Sequence, residues 1–376
     1  MSEDRADAAL AITGWAVVSP LGTGAADFSR GWRAQESVLC DVEGMYPEEL
    51  PVAKACVLPG FNVRDHLGRK GTSCFDRPTS FTVVAAGLAL DDTDADLSEE
   101  ARGSTGIAMG TGGGTQSLCD FIQETIVNDP PYLVNPIRFP YAVMNAAAGS
   151  AAIWHRLRGV NATITDGQTS FLAALRYGRN QLRNGYERTM LVGGVEEFTP
   201  QRAWAAEHLR GGLDSRVPLG EGAAVFVLEP AAAAEGRPRC AEVLSVEIGA
   251  SADGEPDPAV VAAVVSRALR VAGVEGSDIA TVASSLAGSP RRDSAERSGI
   301  LEALGADTAS WLPVKDRLGE TYTASGALQL AAVLAEHRAS PELDGRHALV
   351  TSVTSDGLVG AAVVRGWSRA GDADGL

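Results

Sequence analysis

Residues Asn161 to Gly185 read NATITDGQTSFLAALRYGRNQLRNG, and the change of period inside this stretch decides the fold. Ala162 to Thr165 is a short β-branched run of the kind that forms a buried strand. Asp166 and Gly167 supply a turn. Leu172, Leu175 and Leu182, with Ala173, Ala174 and Tyr177, then give one helical face able to lie on a sheet. Gln168 therefore stands at a strand-to-helix tip, where a side chain points at substrate or solvent and the helix N-terminus offers unpaired N–H groups. Enzymes mount nucleophiles on such tips. Here the tip carries an amide, and taken alone the stretch is an ordinary strand-turn-helix crossover with a polar cap.

The 376-residue length allows two or three domains, and 45% hydrophobic residues at near-zero mean hydropathy can fill a large core. The opening MSEDRADAAL is acidic, and no later run approaches the roughly 20 uninterrupted apolar residues of a membrane span, so a soluble cytoplasmic chain is expected. A net charge of -16 repels nucleic acid and other acidic partners. Cys40, Cys56, Cys74, Cys119 and Cys240 are odd in number, without a CxxC pair, and read as buried thiols rather than a disulfide or zinc framework. His66, His155, His208, His337 and His347 show no ligand spacing and read as solvated surface imidazoles. No metal or cofactor is expected.

Ala11 to Gly24 reads as a strand, a Ser-Pro-Leu-Gly turn and the start of a helix with Phe28 and Trp32. Asp41 to Gly71 reads as a surface excursion with little regular structure, and Phe75 to Leu90 as a helix. Thr105 to Gly114, TGIAMGTGGG, is a strand entering a glycine-rich loop that lacks both the P-loop ending and the dinucleotide glycine spacing. Leu118, Phe121, Ile122 and Ile126 form one apolar helix face, for which core packing is the ordinary expectation. Phe139 to Gly149 joins a turn to a small-residue helix, and the strands Met190 to Glu197 and Glu221 to Glu229 are expected to pair. The plan then repeats in Glu242–Ala250, Ala280–Gly288, Thr323–Glu336 and His347–Arg365. Two similar α/β halves, 1–235 and 236–376, are expected to place Gln168 and the Thr323 region on one cleft.

Five segments in order, TGWAVVSPLG (Thr13–Gly22), GIAMGTGGG (Gly106–Gly114), NAAAG (Asn145–Gly149), GGVEE (Gly193–Glu197) and GEGAAVFVLE (Gly220–Glu229), make the chain resemble the β-ketoacyl synthases. The resemblance spans nearly the whole length and implies the thiolase fold, two α/β halves in αβαβα layers. In that family a cysteine at the tip takes the acyl chain, and two histidines assist decarboxylation and stabilise the enolate. Aligned on Gly159 and Asn161, the nucleophile position holds Gln168; aligned on Asp293 and Glu296, the first histidine position holds Ser285. The run PVKDRLGETYTASG retains the family's lysine as Lys315 and puts Glu320 at the second histidine, while Thr354, Ser355, Asp356 and Gly357 replace the gating loop. Glutamine has no nucleophilic form at neutral pH, and a free carboxylate at Glu320 repels a malonyl group, so condensation in this cleft is expected to be absent.

Glutamine at the tip is similar to the chain-length factor, the ketosynthase-like subunit that pairs with an active ketosynthase in type II polyketide synthases. The resemblance implies a heterodimer whose interface tunnel holds the growing acyl chain. It also implies a tunnel lining drawn from Leu118, Phe121, Ile122 and Ile126 with Arg138 and Phe139. Acyl carrier proteins are acidic, so docking is expected on the partner rather than on this chain. QTSF at Gln168–Phe171 departs from the Gln-Ala-Gly-Gly run of aromatic systems, and LDSRVPLGEG shortens the segment before Gly220; both favour a reducing, polyene-type system. Three other readings remain at this stage: a malonyl-carrier-protein decarboxylase, a hydrolase or transferase using Ser170 or Ser285 with Glu320, and a structural homodimer.

Overall fold

The computed structural model describes residues 9–35, 37–209 and 216–368. The first half runs β1 (Leu10–Ser19), α1 (Ala25–Ala34), α2 (Arg77–Asp92), β2 (Thr105–Thr111), α3 (Thr115–Val127) and α4 (Ala146–His155). It continues through β3 (Asn161–Ile164), α5 (Ser170–Arg183), β4 (Thr189–Glu196), α6 (Pro200–Leu209) and β5 (Gly222–Pro230). The second half runs β6 (Ala241–Ala250), α7 (Pro258–Ala272), β7 (Ile279–Ala283), α8 (Pro290–Leu304) and β8 (Ser310–Trp311). It ends with α9 (Val314–Leu318), α10 (Ser325–Ala339), β9 (His347–Val353) and β10 (Leu358–Gly366).

These strands lie in the order β8-β7-β9-β10-β6-β1-β5-β4-β2-β3. Cut between β6 and β1, each half reads third, second, fourth, fifth, first strand from its outer edge. In both halves the second strand runs parallel to the third and fourth, and the remaining ladders are antiparallel. The expected repeat is thus present in topology. The two sheets are joined edge to edge by a short ladder, Leu10 to Ile12 against Ala241 to Val243.

Strand composition explains the layering. In β5, Ala223, Val225 and Val227 pack outward with α2 and α4, while Ala224, Phe226 and Leu228 pack inward with α5 and α10. A strand apolar on both faces belongs to a sheet covered on both sides. The second sheet is covered outside by α7 and α8, which gives five layers in the expected αβαβα arrangement. Helix α10 is buried almost all round, as a helix without a polar face must be. Helix α2 is started by Asp76, whose Oδ1 accepts the Thr79 N–H at 3.0 Å, with Pro78 in its first turn.

Several expectations are corrected. The excursion Asp41–Gly71 does have little regular structure, a two-residue hairpin, Cys40–Asp41 with Lys54–Ala55, and a helical turn, Val63–Leu67, but it is more than surface, since it walls one side of a cleft. His337 is buried with its ring against Gly366 of β10, and His155 is largely buried against α2, with Nε2 2.9 Å from the Val83 carbonyl. Cys74 is exposed, while Cys56 and Cys240 are buried as expected. Helix α3 has no buried residue at all, so Leu118, Ile122 and Ile126 stand exposed rather than in the core. An apolar stripe has the same period whether it faces a core or another protein. No helix among the described residues is long and apolar enough to cross a membrane.

Candidate functional site

The tip between β3 and α5 is wound by its own polar side chains. Thr165 Oγ1 donates to the Thr111 carbonyl at 2.6 Å, Thr169 N–H and Oγ1 both donate to the Asp166 carbonyl, and Ser170 Oγ donates to the Gly167 carbonyl. Gly167 takes φ +55°, a left-handed turn that glycine adopts without strain. Ser352 Oγ donates to the Gln168 carbonyl at 2.7 Å, tying the tip to β9 of the second half. Ser170, the possible nucleophile of a hydrolase, is fully buried in this turn.

Gln168 is 6% exposed and both ends of its amide are engaged. Its Nε2 donates to Glu320 Oε2 at 3.0 Å, and its Oε1 accepts from Arg292 Nη1 at 3.1 Å. Glu320 in turn accepts from Lys315 Nζ through both oxygens, at 2.9 and 2.8 Å, and from the Tyr322 N–H at 3.0 Å. Burial pushes the Glu320 carboxyl up, but the Lys315 and Arg292 charges outweigh it and hold the group below the usual carboxylate range. Burial lowers the Lys315 ammonium, yet two short contacts to one carboxylate keep the pair ionised. The charge expected to repel a malonyl group is therefore compensated, not free.

Ser285 lies apart from this chain of contacts. Its Oγ donates to Glu296 Oε2 at 2.7 Å and accepts the Val353 N–H at 2.9 Å, while its own N–H and Thr351 Oγ1 donate to Glu296 Oε1. It ties α8 to β9 and has no contact with Glu320 or Gln168 in hydrogen-bond range. Ser285 is fully buried and does not line the cleft outside the tip, so its hydroxyl is out of a substrate's reach.

The cleft outside the tip holds about 840 Å³ and is lined by Gln168, Arg292, Glu320 and Tyr322, with Thr354 and Ser355 from the loop after β9. None of the five histidines lines it among the described residues. Arg292 and Tyr322 are functional-site residues that the sequence reasoning passed over. Arg292 sits directly before Asp293, the marker used to count to Ser285, so the doubled arginine in SPRRD was the available signal. No cluster of three or more potential metal ligands occurs among the described residues. The shortened LDSRVPLGEG segment lies partly outside the described residues.

The remaining candidates stand on α3 and on the segment that follows it. Phe121 and Phe139 pack ring to ring at 5.6 Å, and Arg138 bridges Asp120 and Glu124 at 3.2 and 3.3 Å. Leu118, Ile122 and Ile126 with Ile137, Val143 and Met144 leave a large apolar surface here.

The family of β-ketoacyl synthase N-terminal domains matches residues 7–234, and that of the C-terminal domains residues 242–340. The chain belongs to the β-ketoacyl synthase family. Its architecture is the thiolase fold of ketosynthases, as expected from the sequence segments. It is similar to the ishigamide ketosynthase/chain length factor, at 37% identity and a TM-score of 0.86 over 96% of this chain and 99% of that one. A type II PKS acyl-carrier protein in complex with its ketosynthase shows the same fold, at 19% identity and a TM-score of 0.80 over 95% and 99%. The 3-oxoacyl-[acyl-carrier-protein] synthase 2 of Vibrio cholerae is 26% identical over 346 residues, 85% of this chain and 83% of that protein. Within a ketosynthase fold, then, the strand-to-helix tip presents an amide held from both sides.

Proposed function

We propose that this β-ketoacyl synthase family member is a non-catalytic subunit that pairs with an active ketosynthase in the cytoplasm and sets chain length in a type II polyketide synthase of reducing, polyene type. The observation that carries the proposal is the closed contact chain Lys315–Glu320–Gln168–Arg292 at the tip, with neither thiol nor imidazole at the three catalytic positions. Such a site has no nucleophile to acylate and no imidazole to decarboxylate malonyl groups. The same absence weighs against the decarboxylase reading, and the complete burial of Ser170 and Ser285 outside the cleft lining weighs against the hydrolase.

Pairing is supported by the exposed apolar face of α3 and its neighbours, which is larger than the scattered apolar residues of an ordinary monomer surface. The similarity to a ketosynthase/chain length factor agrees with it. We take residues 1–235 and 236–376 as the two halves of one such subunit. In this arrangement Leu118, Phe121, Ile122 and Ile126, with Arg138 and Phe139, line the far end of the partner's acyl tunnel, and the carrier protein docks on the less acidic partner. The chain is co-expressed with its candidate ketosynthase, one chain tagged, and the complex weighed. A one-to-one complex that condenses malonyl-carrier protein, with this chain inert alone, is expected. A stable homodimer that ignores the ketosynthase and releases carbon dioxide from malonyl-carrier protein overturns the proposal.

A further inference from the structure

The glycine-rich loop Gly112–Gly114, which carries no phosphate-binding pattern, has a different occupant: the protein's own charged side chains. A Cβ on Gly112 would sit 2.4 Å from Arg202 Nη2, and one on Gly114 would sit 2.4 Å from Asp76 Oδ2. Loop backbone and charged groups approach each other only because these residues have no side chain. Directly after the loop, α3 begins without a capping side chain, since its N-cap is Gly114. The open first-turn N–H of Gln116 is met instead by Glu197 Oε1 at 3.1 Å, from the end of β4. Asp76 Oδ2 accepts from Ser117 Oγ at 3.4 Å, from the head of α2.

Helix α3 fully buries none of its residues, so beyond contacts such as Phe121 against Phe139 its placement depends on polar ties at its start. We infer that Glu197, assisted by Asp76, is the positioning residue of α3: it caps the helix from another strand and so fixes where Leu118, Phe121 and Ile122 stand on the outer face. A capping group on a different element fixes a helix in space as well as satisfying its N–H groups. That these residues matter for pairing and chain length rests on the function proposed above.

The cap is built among like charges. Around Glu197 stand Asp76 and Arg77 of the α2 start, Glu196 of β4, Arg202 of α6, Tyr46 of the excursion and Cys119 of α3 itself. Arg202 pairs with Glu196 at 2.8 Å and Arg77 with Glu221 at 2.6 Å, which leaves no cation committed to Glu197. Burial, with Asp76 and Glu196 beside it, pushes the Glu197 carboxyl up to about 8. A carboxyl raised in the folded state favours its protonated form there, so its contribution is complete at low pH and is lost as pH rises through about 8. The Gln116 N–H itself favours the carboxylate, so the cap contact is not what weakens on ionisation; burial of the charge is what costs stability.

Hydrogen exchange of the whole chain, read on peptides covering 112–128 and 170–183, tests this. Glu197→Ala is expected to speed exchange in the first turn of α3 about fivefold, the equivalent of losing one cap of about 1 kcal/mol, and to leave α5 unchanged. Glu197→Gln keeps an acceptor oxygen and is expected to restore protection. Unchanged α3 exchange in the Ala variant, or a rise shared equally by α5, overturns the cap. A loosened α3 with an undiminished ketosynthase complex upholds the cap and overturns the assignment of α3 to the pairing face.

Discussion

Removing the Lys315 charge isolates the energetics of the rebuilt tip. In Lys315→Met the Glu320 carboxylate loses two hydrogen bonds of 2.8 and 2.9 Å and keeps the Gln168 amide, the Tyr322 N–H and the Arg292 guanidinium at 3.9 Å. Unit charges about 4 Å apart at an effective dielectric near 20 interact by about 4 kcal/mol. Breaking a buried pair from one side costs about 3–5 kcal/mol, because a charge is left without compensation. At ~2 °C per kcal/mol for a large chain, the melting temperature is expected to fall by roughly 6–10 °C at pH 7. The pH dependence carries a sign. In the wild type the Glu320 carboxyl is depressed, so its stabilisation is present above its unfolded range and is lost as pH falls through the folded value. In the variant burial acts with less opposition, the carboxyl rises, and stability is regained as pH falls from 7 to 5. Adding Glu320→Gln removes the stranded charge and is expected to recover most of the loss. Thermal melts of the four proteins of this cycle across pH 5–8 make the measurement. A loss below about 1 kcal/mol in the single variant, or no recovery in the double, refutes an ionised buried pair at this site.

Gln168→Ala strands one hydrogen bond on each side of the tip and is expected to cost about 1–3 kcal/mol in a denaturant titration, with the pair's product length nearly unchanged; complete loss of condensation by the pair contradicts a positioning role. Leu118→Trp or Phe121→Trp is expected to shift the product profile of the pair to shorter chains by mass spectrometry. Because Leu118 is 43% exposed, its substitution should move the stability of the isolated chain by no more than about 0.5 kcal/mol. Unchanged products from both remove them from the tunnel. Ile122→Asp places a charge in the middle of the apolar face and is expected to abolish co-purification with the ketosynthase while the isolated chain melts as the wild type does. An intact complex moves the pairing surface elsewhere.

What was legible in the sequence is what depends on neighbours along the chain. The strand-turn-helix tip at Gln168, the pairing of the strands around Val192 and Phe226, and the repeated order of the halves all follow from local periodicity. The destination of α3 was not legible, because Leu118, Phe121, Ile122 and Ile126 have the same spacing whether core or partner covers them. Arg292 was missed because its contact to Gln168 spans 124 residues of sequence. Glu320 looked like a free repulsive charge because Lys315, five residues earlier, was read as a family remnant rather than as its counter-ion. A catalytic site that only decays after losing its nucleophile leaves stranded polar groups, and each stranded group costs free energy. Here Gln168, Ser285, Lys315 and Glu320 all have hydrogen-bond partners, while Arg292 Nε and Nη2 make only longer ion-pair contacts, to Asp293 and Glu320 at 3.7 and 3.9 Å. The replaced side chains complement one another as a set. A site whose polar groups answer one another in this way, in a chain that also exposes the apolar residues of α3, agrees with the non-catalytic role proposed above.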